Sequence, residues 1–230
     1  MKRNGLRALG LASCVVALFS LLGMAVNLQG IVDNELVAEI SLAAGMNLVD
    51  TYIAEYETVE ALEAALALAD TPGAKYAFSQ AIFKLNGGLA TLVALDDDAL
   101  LALVAAGDAN AAEAYVFNAR AGLKNPAAVE AAIADETDEL LLTAYGKLLG
   151  GFYGPGSTVG MKTEAELAVL VKEGENLGLR VGAAQALTTY WILGSDLTYV
   201  DVQNEILGVM LVYPELALAY QGYLAYLYSL

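Results

Sequence analysis

Alanine and leucine are so abundant in this chain that α-helix is the structure it forms most readily. The sequence contains 42 Ala and 40 Leu against 4 Pro. Ala and Leu are among the strongest helix formers, and runs of β-branched residues are few. Hydrophobic residues make up 58% of the chain, enough to bury a core. The composition therefore predicts an all-α protein with one sizeable core, with or without a short export segment.

Turn-forming residues divide the chain after residue 26 into helical segments joined by short connections. The main breaks are at 71–73, 86–88, 107–108, 125–126 and 150–160. Pro126 suits the first position of a helix, where its missing N–H costs nothing, and one helix is predicted over residues 127–149. Short connections favour antiparallel helical hairpins stacked on one another. We therefore predict one all-α domain over residues 27–230, and such hairpins can also form a helical-repeat solenoid.

Residues 190–228 predict a C-terminal helical hairpin rich in tyrosine. Trp191 is placed at its start, and Pro214 is expected to end one helix because it lacks the N–H needed to continue. Gln221 is expected on the solvent side of the last helix. The opposite side carries an apolar stripe at helical spacing, formed by Leu216, Tyr220, Tyr223, Leu224 and Leu227.

The N-terminal residues 1–26 predict export from the cytoplasm. An uncharged stretch over residues 8–26 follows three basic residues, Lys2, Arg3 and Arg7. Its length lies between that of a signal-peptide core and that of a spanning helix, so length alone does not decide between them. Basic residues stay on the cytoplasmic side, so the acidic body is expected outside the cytoplasmic membrane.

Three fates of this export segment remain open from the sequence. Leu11-Ala12-Ser13-Cys14 matches a bacterial lipobox, so Cys14 is a candidate site of lipidation. Small residues ending at Ala25 suit cleavage by a signal peptidase, which would release the body. An uncleaved hydrophobic helix would instead anchor the protein in the membrane.

Charge and missing residue types exclude several classes of function. Beyond residue 27 the chain carries 27 acidic and eight basic residues, so it repels phosphate backbones and nucleic acid is not an expected partner. It contains no His and one Cys. Catalytic triads, histidine zinc sites, haem attachment and intrachain disulfides are therefore excluded. The sequence predicts no cofactor, no metal and no enzymatic activity.

Two short motifs are better explained as helix starts than as binding sites. Residues 154–163 approach a phosphate-binding loop, but the glycine spacing is wrong and Met161 intervenes before Lys162. Thr163 with Glu166 instead predicts a helix N-cap. The acidic run over residues 96–98 lacks the spacing of a calcium loop, and it suits the first turn of a helix.

Aromatic and basic side chains in the second half of the chain predict a groove for a ligand or a partner. Tyrosine-rich segments can wall such a groove, and an Arg or Lys within it can hold a carboxylate. The candidate residues are Arg120, Lys147, Arg180, Tyr190, Trp191 and Tyr220.

Three stretches in the same order resemble one family, the T component associated with tripartite ATP-independent periplasmic (TRAP) transporters. GMAVNLQGIV (23–32) is similar to the segment that follows the lipoprotein signal of that family. NLGLRVGAAQAL (176–187) resembles its arginine-containing helix, as does 118–133 less closely. YWILGSDLTYV (190–200) and the residues up to 228 resemble its C-terminal helices. Cys14 stands farther from this first stretch than the lipidated cysteine of the family does.

The resemblance implies a TPR-like helical-repeat protein outside the cytoplasm that partners a solute-binding protein or a small organic ligand. It implies no catalysis. We therefore expect an extracytoplasmic binding or scaffold protein, attached to the membrane or exported by residues 1–26. The alternative is a membrane-anchored structural protein that self-assembles in the cell envelope, and a homo-oligomer fits either function.

Overall fold

The computed structural model describes residues 26–35 and 37–230, and within these residues it contains only helices and the turns between them. The predicted all-α fold is thereby confirmed. Cys14 and the export segment up to Ala25 lie outside the described residues. The fourteen helices of the described residues are α1 (Leu28–Asn34), α2 (Ala38–Met46), α3 (Val49–Tyr56), α4 (Val59–Leu66), α5 (Pro72–Leu85), α6 (Leu89–Leu92), α7 (Asp97–Ala105), α8 (Ala109–Ala119), α9 (Pro126–Ala134), α10 (Glu139–Tyr153), α11 (Glu164–Glu173), α12 (Leu177–Gly194), α13 (Tyr199–Val209) and α14 (Pro214–Tyr228).

Most helices begin at a side chain that caps the first turn. Asn125 accepts a hydrogen bond from the backbone N–H of Ala128, and Pro126 is the first residue of α9, as predicted. Asp96 caps α7 in the same way. Such caps satisfy N–H groups that have no partner inside the helix, so they define where each helix begins.

Two predicted helix boundaries are wrong. Residues 127–149 form two helices instead of one, because Asp138 caps a new helix by accepting from the N–H groups of Leu140 and Leu141. The break predicted at 150–160 begins later, since α10 continues through Gly150 and Gly151 to Tyr153. Both glycines are compatible with a helix, and Gly150 packs closely on Gln185 of α12.

Helix contacts run continuously from α8 to the N-terminal helices. Helix α8 packs on α10, α10 on α12, α12 on α14, α14 on α2, and α2 on α5. Each of α7, α9, α11 and α13 packs on the helix that follows it in the chain. Neighbouring helices joined by short connections run antiparallel. The N-terminal helices therefore pack beside the C-terminal helix, which is farthest from them in sequence.

Glycines allow the closest helix contacts. A Cβ atom on Gly146 of α10 would lie 2.6 Å from the backbone oxygen of Gly178 in α12. A Cβ atom on Gly45 of α2 would lie 2.3 Å from the backbone oxygen of Gly73 in α5. No Cβ can occupy these positions without a shift of the backbone, so the two helix pairs depend on glycine for their separation.

The buried side chains form two hydrophobic cores. One core involves α7 to α12 together with Leu216 and Ala219 of α14, and the other involves α1 to α5, α13 and the rest of α14. Trp191 and Tyr220 pack against both cores. The last helix and this aromatic pair therefore connect the two halves of the molecule.

The C-terminal hairpin differs in three respects from its prediction. Trp191 does not begin the hairpin but lies near the end of α12. Pro214 does not end a helix, because α13 already ends at Val209 and Pro214 is the first residue of α14. Gln221 is not on the solvent side, since only 5% of its surface is exposed. In the predicted stripe Leu216, Tyr223 and Leu224 are buried, whereas Tyr220 and Leu227 are half-buried.

Candidate functional site

The residues predicted to form a groove lie in separate places. Arg120 and Lys147 line one hollow, Trp191 and Tyr220 stack on each other, and Arg180 is paired with a carboxylate of the protein itself. That all six form one groove stays a prediction. Their individual surroundings show what each can do.

Arg120 and Lys147 line a hollow of about 320 Å³ formed by α6, α8 and α10. Its lining includes the apolar side chains of Phe117 and Leu148. The Arg120 guanidinium carbon lies 3.4 Å from the centre of the Phe117 ring, and Lys147 forms an ion pair with Glu113. The hollow can hold a small acid with an apolar tail, although Glu113 offsets part of its positive charge.

Arg180 forms its hydrogen bonds with other residues of the same chain. Its Nε donates to Oε1 of Glu215 at 3.0 Å, and its Nη1 donates to the backbone oxygen of Gly174 at 3.0 Å. The side chain of Glu215 is 9% exposed and that of Arg180 is 28% exposed. The carboxylate that Arg180 holds therefore belongs to α14, and the pair connects the start of α12 to the start of α14.

Trp191 and Tyr220 form an aromatic pair between the two cores. Their ring centres are 4.4 Å apart with an angle of 16° between the ring planes. The indole N–H of Trp191 donates to Oε1 of Glu164 at 2.8 Å. Burial, together with the nearby carboxylate of Glu205, raises the pKa of Tyr220 to about 12.

Tyr190 fixes the loop that resembles a phosphate-binding motif. Its hydroxyl donates to the backbone oxygen of Lys162 at 2.8 Å, and the ammonium group of Lys162 lies 4.6 Å from the centre of the Tyr153 ring. Thr163 and Glu166 then form the predicted capping box at the start of α11. These contacts agree with the interpretation of residues 154–163 as a connection between helices.

Another hollow was not predicted from the sequence. It has a volume of about 580 Å³ and lies among α1, α3, α4 and α5. We call it the tyrosine hollow. The side chains that characterise it are those of Gln29, Asp33, Tyr52, Glu55, Tyr56 and Phe78.

Three aromatic rings converge on the tyrosine hollow. Tyr52 stacks on Phe78 with ring centres 4.3 Å apart. Tyr56 meets both rings edge-on, at 6.0 Å from Tyr52 and 5.4 Å from Phe78. Tyr52 and Tyr56 are four residues apart, so one face of α3 carries both of them. This i, i+4 spacing was the one available sequence signal, but Phe78 comes from α5 and only the tertiary fold adds it.

Carboxylates give the tyrosine hollow a negative potential. Asp33, Glu55 and Asp70 line it, and none of the described lining residues is basic. Burial raises the pKa of the Tyr52 hydroxyl, and the charges of Asp33 and Glu55 raise it further. The Tyr52 hydroxyl donates to Oε1 of Gln29 at 3.1 Å, and Nε2 of Gln29 donates to Oδ1 of Asp33 at 2.8 Å. This network orients both the ring of Tyr52 and the carboxylate of Asp33.

No family model matches this sequence, and no curated protein or solved structure matches it either. Among the described helices, none is both long and apolar enough to cross a membrane. Within residues 26–35 and 37–230, no three His, Cys, Asp or Glu side chains are placed to hold a metal ion.

Proposed function

We propose that this chain is an extracytoplasmic helical-repeat protein that binds a partner, resembling the TPR-like T component of TRAP transporters. The observation that supports it is the continuous series of contacts from α8 through α10, α12 and α14. Each helix of this series also packs on the helix before it in the chain. Stacked helical hairpins of this kind offer extended surfaces for partner proteins.

The proposed location outside the cytoplasm rests on the sequence of the first 26 residues. Lys2, Arg3 and Arg7 before the uncharged stretch favour transfer of the acidic body across the membrane. The proposed mode of action is binding instead of catalysis, because the sequence offers no His as a general base. The proposed partner is a solute-binding protein of a TRAP transporter, as the resemblance implies.

Sedimentation of the full chain in a mild detergent tests this function. With a purified solute-binding protein of a TRAP transporter, we expect a complex of fixed stoichiometry. Without the partner we expect a monomer or a small closed oligomer. The double substitution Arg120→Ala with Lys147→Ala should weaken the complex if the hollow lined by these two residues contributes to it. The absence of a complex with every such protein tested would contradict the proposed partner.

The alternative function is a structural protein of the cell envelope, and one observation favours it. Leu211 and Val212, in the turn between α13 and α14, are 87% and 65% exposed. Exposed apolar side chains of this size are a feature of surfaces that contact other chains. Assemblies that grow with concentration in the same sedimentation experiment, without a partner, would support this alternative, and Leu211→Ser should then reduce them.

A further inference from the structure

Two exposed surfaces of this chain have opposite charge, and each combines its charge with apolar side chains. One is the hollow lined by Arg120 and Lys147, which we call the basic hollow. The other is the turn between α4 and α5 around Leu68, which we call the acidic turn. Both surfaces belong to the described helical body, so the inference does not depend on the partner proposed above.

The basic hollow lies in a part of the sequence that is poor in acidic residues. Residues 114–129 and 140–163 contain no acidic residue and four of the eight basic residues that follow residue 27. Arg120 and Lys147 belong to these four, and both are exposed at the hollow. Lys147 is paired with Glu113. Arg120 takes part in none of the three ion pairs of the described residues, so its charge has no carboxylate partner in that part of the chain.

The basic hollow also has room for an apolar side chain. Its volume is about 320 Å³, and Val116, Phe117 and Leu148 contribute to its lining. Phe117 is 37% exposed, although it is a large apolar residue. Its ring centre lies 3.4 Å from the guanidinium carbon of Arg120, so the apolar and the charged parts of the hollow are adjacent. A fitting partner therefore offers an apolar side chain next to a carboxylate.

The acidic turn offers this combination. Leu68 lies between the end of α4 at Leu66 and the start of α5 at Pro72, and it is 82% exposed. Asp70 follows two residues later and is exposed as well. Residues 26–95 contain nine acidic and two basic residues, so the surroundings of the turn are negatively charged. An exposed leucine gains free energy when it enters an apolar hollow of another molecule.

The arrangement of the two surfaces favours a contact between copies of the chain. The basic hollow belongs to α6, α8 and α10, and it shares no lining residue with the acidic turn. Two complementary surfaces at different places on one molecule produce a head-to-tail contact, which continues into a closed ring or an open chain. Opposite charges on the two surfaces also steer the copies into this orientation.

We propose that this chain associates with itself head to tail, with Leu68 of one copy in the basic hollow of the next copy and Asp70 facing Arg120. Burial of the leucine and of the hollow supplies the attraction, and the charges fix the orientation. One side chain and a few charges form a small interface, so the association is weak and sensitive to salt.

Sedimentation of the full chain in a neutral detergent tests the proposal. In a buffer of about 0.05 M salt, we expect the average mass to rise with protein concentration between about 10 µM and 1 mM. In about 0.5 M salt the rise should be smaller, because screening weakens the contact between the charges.

Two double variants test each surface separately. The hollow variant is Arg120→Ala with Lys147→Ala, and the turn variant is Leu68→Ser with Asp70→Asn. All four residues are exposed, so the fold should tolerate the substitutions. Each variant alone should associate at least about tenfold more weakly than the unmodified chain. An equal mixture should form a pair of one copy of each and nothing larger, because it retains one intact turn and one intact hollow.

The matched control is Leu211→Ser with Lys172→Ala. It removes one exposed leucine and one exposed lysine that lie outside both surfaces, and it should associate as the unmodified chain does. The same control separates this contact from the envelope-protein alternative, in which Leu211→Ser reduces the assemblies.

Four results would overturn the proposal. One is a monomer at all concentrations up to about 1 mM in low salt. Another is unchanged association of the hollow variant or of the turn variant. The third is the absence of a pair in the mixture when circular dichroism shows that both variants are folded. The fourth is a loss of association in the control variant.

Discussion

Two buried glutamines, Gln203 and Gln221, each have a side-chain oxygen with no hydrogen-bond partner among the described residues. An unpaired buried acceptor costs about 1–3 kcal/mol of stability. We expect Gln221→Leu to raise the free energy of unfolding by about 1 kcal/mol, because it removes this unpaired oxygen and keeps a similar volume. Urea unfolding followed by circular dichroism measures the change.

Gln203→Leu is the control for that substitution, because the two glutamines differ in one contact. Nε2 of Gln203 donates to the Tyr228 hydroxyl at 2.5 Å. Its replacement removes an unpaired oxygen too but leaves that buried hydroxyl without this partner, so we expect Gln203→Leu to be about 1–3 kcal/mol less stable than Gln221→Leu. A loss of stability in Gln221→Leu as well would show that the amide of Gln221 is satisfied, for example by a buried water.

At the scale of the helical element, the contact between α10 and α12 depends on one missing side chain. Gly146→Ala would place a Cβ atom 2.6 Å from the Gly178 oxygen and 2.9 Å from Cβ of Val181. We expect it to lower the free energy of unfolding by about 1–3 kcal/mol through overpacking. Gly151→Ala, on the same helix with nothing within 4 Å, should instead raise it by about 0.5–1 kcal/mol. Equal effects of the two substitutions would refute the close approach.

The capping boxes of α11 and α13 make stability depend on pH. Hydrogen bonds from the backbone and hydroxyl of Thr163 lower the pKa of Glu166, and those from the hydroxyl and backbone of Thr198 lower the pKa of Asp201. The boxes therefore stabilise the fold at pH values above about 4, where Glu and Asp side chains titrate in the unfolded chain. This stabilisation is lost as the pH falls through the lower pKa values that the two carboxyl groups have in the folded protein. Glu166→Gln with Asp201→Asn should be less stable than the unmodified chain at pH 7. The difference should shrink toward pH 3 in urea unfolding, and a constant difference would contradict this origin.

Helix starts could be predicted from the sequence, whereas long-range contacts could not. Thr163 with Glu166 and Asn125 with Pro126 act within one turn, so a few neighbouring residues decide them. The break before Asp138 was missed because the residues around it are compatible with a continuous helix. The tyrosine hollow was missed for another reason. It joins residues from 29 to 78 that lie on four helices, and no local spacing indicates that packing.

At the scale of the whole molecule, the N-terminal and C-terminal helices stabilise each other. Helix α14 packs on α2, and Nδ2 of Asn47 donates to the backbone oxygen of Ala225 at 2.9 Å. Trp191 and Tyr220 pack against both hydrophobic cores. Because the same helix contributes to both cores, loss of one core exposes part of the other, and we infer that the two unfold together.

That inference predicts a single unfolding transition seen by two different probes. Far-UV circular dichroism reports all the helices, whereas fluorescence reports the junction, since Trp191 is the only tryptophan in the chain. Leu224 in one core and Leu149 in the other are both fully buried. Leu224→Ala and Leu149→Ala should each lower the free energy of unfolding by about 2–5 kcal/mol, and with each variant both probes should shift to the same new midpoint. If the cores were independent, each substitution would produce an early step in circular dichroism from the helices of its own core alone, and the transition of the other core would keep its midpoint.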